Sequence, residues 1–461
     1  MIADLAPGGA RSRSPSLAAF LSFLWPGLGQ WYLDRRRSAL VFAVPVALAV
    51  VAVATQSIRG LSQFYLEMFT PSVALTALVL IGLLCVWRLI SIVDAALIAG
   101  GRRALRMPSV AGTVAILALV TVVVHGVLGY YALTFYQAGT EIFVGLPNPE
   151  SGVVADPSTT PLPGPILVAT PAATPATTSS RINVLLTGID SAPSRAQSLN
   201  DTIIVVSIDP VSKEVDMISF PRDLSSLPLW DGHTYKGKIN SLMTYAQAHK
   251  KEFPDGGLPT LMKELGFLLG VPMHYYAAID LAGFVTMIDL VGGVTVNNPR
   301  QIDDPGYGGW TNGHAIGFHM TPGKHRLDGQ TALAYVRSRK GIGDNDFTRS
   351  RRQQQVLVAL GKKLADPAML PKLPDIVRAA GNTIRTNFPP DRLSEMLDIG
   401  TQLDDPKIRQ YVLGPPYATY PDPPTGTYEL ILDMDRIARL SVNLFGADSA
   451  YSPKAQPSST P

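Results

Sequence analysis

Cysteine is almost absent from this 461-residue chain: Cys85 stands alone. A single thiol excludes an internal disulfide framework, a CxxC redox pair and a cysteine-based zinc site. The seven histidines include His314, His319 and His325 in a glycine-rich loop, but no HExxH accompanies them. The usual zinc-hydrolase ligand set is therefore missing. No GxxxxGK[S/T] and no GxSxG occurs, and "GYGGWTNG" (306–313) reads as a surface turn, not as a strand-to-helix phosphate loop. Net charge is only +3, too little for a broad basic face of the kind nucleic acid requires.

Long apolar runs are what the chain does have. Segments 38–56, 73–98 and 109–133 each suffice to cross about 30 Å of hydrocarbon. Basic residues set their direction. Arg11, Arg13, Arg35, Arg36 and Arg37 precede the first run, and Arg102, Arg103 and Arg106 lie between the second and third, whereas the 57–72 loop has only Arg59. By the positive-inside rule the N-terminus is cytoplasmic and everything after residue 135 is outside. This predicts a multi-pass protein of the cytoplasmic membrane with an extracytoplasmic domain. A shorter apolar stretch within 17–33, "SFLWPGLGQWYL" (22–33), is broken by Pro-Gly and is expected to be re-entrant. It resembles the PGLGQ-containing entry of small two-span membrane domains, to which no function attaches. Residues 1–145 thus form a membrane region, the Pro/Thr/Ser/Ala-rich 146–180 a semi-extended tether, 181–446 the outer domain and 447–461 a disordered tail.

The outer domain alternates strand-like and helical patterns. "INVLLTGI" (182–189), "TIIVVSID" (202–209), "EVDMISF" (214–220), "HYYAAI" (274–279) and "GVTV" (293–296) are strand candidates, with helices expected over 237–249, 258–269, 281–291 and 349–364. The predicted fold is α/β, a mixed sheet flanked by helices on both faces and preceded by the α-helical transmembrane region.

Asp190 ends one strand and Asp201 opens the next, so two carboxylates return to one end of a sheet. Such a pair suits a hard cation or simply turn formation. Arg222 and Asp223 follow a strand, alone an ordinary surface pair, and Lys236 and Lys238 precede a helix where backbone N–H groups also favour anions. The densest signal is "AYVRSRKGIGDNDFTRSRRQQQ", with six cationic side chains. If "YVRSR" is extended, Arg337 and Arg339 share a face. On a helical wheel originating at Arg349, Gln353, Val356, Leu360 and Leu364 fall within about 60°, while Arg351 lies about 160° away and Arg352 sits at the margin. Arg349 and Gln353 thus continue the inward stripe; Lys340 and Arg351 are expected to be solvated. A buried arginine needs a partner, and Arg337, Arg339 and Arg349 exceed what Asp346 alone can neutralise, which favours a bound polyanion such as phosphate.

The ordered succession "LLTGID", "NDTIIVVSIDP", "MISFPRDL", "KIN", "YYAAIDLAGFVTMIDLVGGVTVN", "LDGQTALAYVRSR" and "DFTRSRRQQQVL" resembles the LytR-CpsA-Psr family of cell-wall glycopolymer ligases over roughly 180–365 and onward to about 446. The resemblance implies transfer of a phosphate-linked glycan from an undecaprenyl-pyrophosphate carrier to peptidoglycan. Asp190 and Asp201 would then hold Mg²⁺ (or Mn²⁺), and Arg222, Lys238, Arg337, Arg339, Arg349 and Gln353 would bind the pyrophosphate. Arg222, Asp346 and Arg349 would be catalytic, Asp346 orienting the arginines or acting as base. The lipid tail would run along the "LPTLMKELGFLLG" and "LAGFVTMIDLVGG" helices. A pyrophosphate hydrolase and a non-catalytic lipid- or glycan-binding regulator are the alternatives. Two departures stand out: the family usually has one anchoring helix where this chain has three, and Asn200 replaces an arginine before Asp201.

Overall fold

The computed structural model describes residues 13–58, 61–143, 181–190, 199–308, 310–311, 314–315, 317–393, 407–422, 426 and 428–452. The tether, 146–180, lies outside them. The chain divides into two units, 1–139 and 140–461.

The first unit contains helices α1 (Pro15–Leu24), α2 (Leu28–Tyr32), α3 (Arg36–Ile58), α4 (Leu61–Glu67), α5 (Pro71–Ala104) and α6 (Pro108–Ile142). Three of them, α3, α5 and α6, are long and apolar enough to cross a membrane, and α5 and α6 run well past the ends of the apolar segments from which they were predicted. The Pro-Gly break falls between α1 and α2. Gly27 has φ +99° there, and a Cβ on it would stand 2.3 Å from the Ala39 carbonyl oxygen, so only glycine fits. Gly29 packs as tightly, its notional Cβ 2.1 Å from the Ala18 oxygen. That closeness lets buried Gln30 stitch the hairpin together. Its Oε1 accepts from Ser22 Oγ (2.9 Å), and its Nε2 donates to the Ser91 carbonyl and to Asp94 (both 3.0 Å). Arg88 donates to the Phe23 carbonyl at the end of α1, a helix C-terminus that favours a cation. The PGLGQ motif is thereby accounted for as a packing device.

The second unit is built on strands β1 (Ile182–Asp190), β2 (Leu199–Ile208), β3 (Val215–Ser219), β4 (Ser225–Pro228) and β5 (Thr234–Lys238), helices α7 (Ile239–Ala248) and α8 (Gly257–Leu269), strand β6 (Tyr275–Asp280) and helix α9 (Leu281–Leu290). Short strands β7 (Val294–Asn298), β8 (Ile302–Asp304), β9 (Trp310–Thr311), β10 (His314–Ala315), β11 (Phe318–Met320) and β12 (Gly323–Leu327) follow. Then come α10 (Gly329–Arg337), α11 (Asp346–Ala365), α12 (Leu373–Thr383), β13 (Ile384–Thr386), β14 (Ile408–Val412), β15 (Ala418–Thr419), β16 (Ile431–Leu432) and α13 (Met434–Phe445).

Six strands form one mixed sheet in the order β13-β6-β1-β2-β3-β14. β1 pairs antiparallel with β2 and parallel with β6; β3 pairs parallel with β14. Strand alternation divides the core. Leu185, Ile203, Val205 and Ile218 pack with Leu242, Leu261, Leu265 and Leu440 from α7, α8 and α13 on one face. Val184, Ile204, Ile208 and Met217 pack with Leu357 and Val358 of α11 on the other. Both faces are covered, as the near-continuous apolar strands required.

Two expectations are corrected. "YVRSR" is not extended, because α10, capped by Asp328 on the Thr331 N–H, continues to Arg337. Arg337 and Arg339 therefore do not share a strand face. Residues 447–452, expected in a disordered tail, pack on α8: Ala450 N–H donates to the Gly270 carbonyl (2.8 Å), and the Tyr451 hydroxyl to that of Phe267 (3.1 Å).

Candidate active site

At one end of the β1–β2 pair the register shifts: Gly188 faces Thr202 and Ile189 faces Asn200, so Asp201 is the extra residue of a bulge. A bulge re-aims a side chain that strict alternation would commit to one face. Asn200 points inward, fully buried, its Nδ2 2.7 Å from Thr187 Oγ1. Asp201 instead meets Arg222.

Arg222 and Asp223 lie in a turn just past β3. Buried Phe220 and Leu224 flank it, and the Leu224 N–H donates back to the Pro221 carbonyl (3.1 Å). Arg222 Nη1 is 2.9 Å from Asp201 Oδ1, and its Nε is 3.6 Å from Asp223 and 3.7 Å from Asp346. Burial by itself disfavours the Arg222 cation, but Asp201, Asp346 and Asp223 together hold its pKa above the ordinary value.

Lys238 closes β5 at the N-cap of α7, its Nζ 2.5 Å from Asp223 Oδ1. Asn345 caps α11: its side chain accepts from the Thr348 N–H (2.9 Å) while Thr348 Oγ1 accepts from the Asn345 N–H (3.0 Å). This capping box fixes the first turn, where Asp346 and Arg349 stand. Arg349 Nη2 lies 3.3 Å from Asp346 Oδ1 and donates to the Asp201 carbonyl (3.4 Å). Burial lowers the pKa of Arg349 and raises that of Asp346.

Arg339 sits on the coil after α10. Buried Asp304 anchors that coil, its Oδ2 accepting from Ser338 Oγ (2.9 Å) and from the backbone N–H groups of Arg339 and Lys340 (both 3.1 Å). Arg339 Nη1 is 4.0 Å from Asp346 Oδ1. Arg222, Asp223, Lys238, Arg339, Asn345, Asp346 and Tyr428 line a cleft of about 360 Å³. That is small for a ligand cleft, near the lower end of the usual ~300–1,000 Å³.

Of the predicted residues, Arg222, Lys238, Arg339 and Asp346 line the cleft, and Asp201 and Arg349 contact that lining through Arg222 and Asp346. Arg337 and Gln353 are not among the cleft-lining residues. Arg337 ends α10, its charge felt by the Tyr307 phenol, and Gln353 is buried with its Nε2 3.5 Å from the Val336 carbonyl. The undecided Arg352 is structural: buried, it pairs with Asp344 (3.1 Å) and donates to the Ser338 carbonyl. Arg351 and Lys340 are exposed. The backbone of Asp190 closes β1 opposite Leu199, but its side chain lies outside the described set.

Three residues lacked a decisive sequence signal. Asp223 looked like half of a surface pair. The N-x-x-T spacing at the start of α11 could have marked Asn345 as a cap. Tyr428, far along the chain, carried none. The charge argument also changes: Arg222, Lys238, Arg339 and Arg349 face Asp201, Asp223 and Asp346, so the cations exceed the described carboxylates by one and not by several.

A protein-family comparison matches the LytR_cpsA_psr family over residues 166–414. The Bacillus mycoides protein named polyisoprenyl-teichoic acid–peptidoglycan teichoic acid transferase TagU is 29% identical over 218 residues, 47% of this chain and 64% of that protein. Regulatory protein MsrR of Staphylococcus aureus is 34% identical over 218 residues, 47% of this chain and 59% of its own length. The chain thus spans less than two thirds of these relatives. The crystal structure of B. subtilis TagV aligns at a TM-score of 0.46 with 26% identity, covering 58% of this chain and 98% of that one. With more than half its length matched by the family model, the chain belongs to the LytR-CpsA-Psr family.

Proposed function

We propose that the second unit is a phosphotransferase that moves a glycopolymer from an undecaprenyl-pyrophosphate carrier to peptidoglycan, on the outer side of a bacterial cytoplasmic membrane. The observation that carries this reading is the cleft itself: Arg222, Lys238 and Arg339 line a space large enough for a diphosphate, interleaved with Asp223 and Asp346, and buried Arg349 stands behind them against Asp346. The transferase name of the TagU relative supports it.

A pyrophosphate diester carries two negative charges, and one surplus cation leaves it under-neutralised. A divalent ion would close that gap; Asp190 and Asp201, whose backbones stand at one end of the β1–β2 pair, would hold Mg²⁺ (or Mn²⁺). When bound, the ion would neutralise charge on the phosphate oxygens. Arg222, Lys238, Arg339 and Arg349 hold those oxygens. The acceptor hydroxyl oxygen attacks the sugar-bearing phosphorus while the bond from that phosphorus to the bridging oxygen breaks. Polyprenyl monophosphate leaves, and a phosphodiester forms. Asp346, whose Oδ1 is buried with no hydrogen-bond partner among the described residues, takes the hydroxyl proton. Positioning and charge neutralisation supply most of the rate in such transfers. The apolar faces of α8 and α9 are where we place the lipid tail.

The deciding experiment incubates the purified full chain with labelled lipid-linked glycan and peptidoglycan and identifies the products. Label joined to peptidoglycan through a phosphodiester supports transfer. Free sugar phosphate alone points to a hydrolase. No turnover, with lipid binding retained, leaves the regulator reading that the MsrR name suggests.

A further inference from the structure

Few large apolar side chains of the second unit face solvent. Among the described residues they are Val211, Ile342, Leu364, Tyr420 and Tyr428. The two tyrosines form a pair, ring centroids 5.7 Å apart at an interplanar angle of 68°, with hydroxyl oxygens 3.4 Å apart. Tyr428 is also a wall of the anion cleft.

Their place is fixed by backbone. β15 pairs with β16, the Leu430 N–H donates to the Asp223 carbonyl (3.0 Å), and the Ser225 N–H donates to the Leu430 carbonyl (2.8 Å). The segment carrying Tyr428 is thus bonded to the turn that carries Arg222 and Asp223. Leu430 and Leu432 fill the core beneath, so the tyrosine rings are not needed to close it. An aromatic pair held at the rim of a phosphate-sized cleft, 53% and 45% exposed, is placed for a ligand.

The shape selects the ligand. Rings at 68° make a corner and not the parallel-walled slot that a flat base would fill. A pyranose has one face of C–H groups and a rim of hydroxyls; it can lay that face on one ring and reach the other's hydroxyl. Tyrosine offers this combination of rigid apolar area and polar tip at small entropic cost. Burial, Tyr420 and the nearby Asp346 and Asp223 all raise the pKa of Tyr428, so its hydroxyl remains a donor.

We infer that Tyr428 and Tyr420 form the subsite for the sugar bonded to the donor's phosphate. The inference rests on the phosphate-transfer reading above and adds the recognition of the donor's first ring.

The test titrates the full chain in detergent with inorganic phosphate, N-acetylglucosamine 1-phosphate and farnesyl phosphate. The sugar phosphate should bind roughly tenfold more tightly than inorganic phosphate. Tyr428→Ala should abolish that difference by weakening the sugar phosphate far more than inorganic phosphate; Tyr428→Phe should keep most of it, and Tyr420→Ala should lose part. In turnover, Tyr428→Ala should raise KM for the lipid-linked donor and leave KM for peptidoglycan unchanged. The inference is overturned if Tyr428→Ala weakens both phosphates equally, changes neither, acts on farnesyl phosphate instead, or shifts the acceptor KM. If the parent protein binds no inorganic phosphate, the phosphate reading itself fails and this inference falls with it.

Discussion

Arg222 Nη1 lies 2.9 Å from Asp201 Oδ1, while its Nε is within 4 Å of both Asp223 and Asp346. One guanidinium thus joins the β2 bulge, the turn after β3 and the first turn of α11. Replacing it exposes three carboxylates to one another. Arg222→Ala should lower turnover about 10²- to 10³-fold, as loss of a charge-stabilising donor does. It should also cost about 3–5 kcal/mol of stability, because charges are left uncompensated in a mostly buried site. Arg222→Lys should recover stability better than activity, since a point charge cannot serve three partners. Steady-state kinetics and thermal unfolding of the same samples check both.

Adjacent arginines at the start of α11 have opposite fates. Arg352 is buried against Asp344, which Arg300 also contacts at 2.9 Å, and its guanidinium lies 5.5 Å from the Tyr335 ring centroid. Arg352→Ala should cost about 3–5 kcal/mol by breaking this buried pair. Arg351→Ala, at an exposed position, should change stability by less than about 0.5 kcal/mol. Denaturant unfolding of the two variants side by side measures the contrast.

The sheet could be read from the sequence because its strands are short β-branched runs, and α11 because Arg349, Gln353 and Val356 recur at helical spacing. "YVRSR" misled because five residues of alternating pattern fit a strand, whereas the cap that makes it a helix, Asp328, lies seven residues before Tyr335. For the site, residues with charge at strand ends were visible one at a time. Their pairing was not, since Asp201, Arg222, Lys238 and Asp346 meet only through tertiary folding. Asp223 changed from a surface residue to a partner of Lys238 once β4 and β5 folded back as a hairpin.

The distribution of arginines predicts the side on which the second unit lies. An alkaline phosphatase fused after residue 180 should be active, and one fused within 102–106, beside Arg102, Arg103 and Arg106, should be inactive. Activity in the reverse pattern would place the cleft in the cytoplasm, away from peptidoglycan.

Glu264 on α8 is fully buried, and neither carboxylate oxygen has a hydrogen-bond partner among the described residues. Burial raises its pKa well above 4.5, with the charge of Asp231 adding to the effect. A carboxyl whose folded pKa exceeds its unfolded value contributes stability below the unfolded pKa and loses it as pH rises through the folded one. Glu264→Gln should therefore unfold at nearly the parent's temperature at pH 4 and at a higher temperature at pH 8. A thermal series from pH 4 to pH 8 in detergent reads the difference; a constant gap would show that Glu264 does not titrate differently on folding.

Asp346 titrates in the same direction for a related reason, but its consequence is kinetic. Burial raises its pKa from the ordinary 3.8, against the opposing pull of Arg349 and Arg222. In the proposed role of base it must be ionised to accept the acceptor's proton, so kcat/KM should rise with pH through that raised value, placing the acid limb above the usual carboxylate range. Asp346→Asn should lose most of the rate and the acid limb together, while inorganic phosphate still binds. If the limb persisted in the Asn variant, Asp346 would be an orienting group for Arg349 and Arg222, and the proton would have to leave through another residue of the cleft.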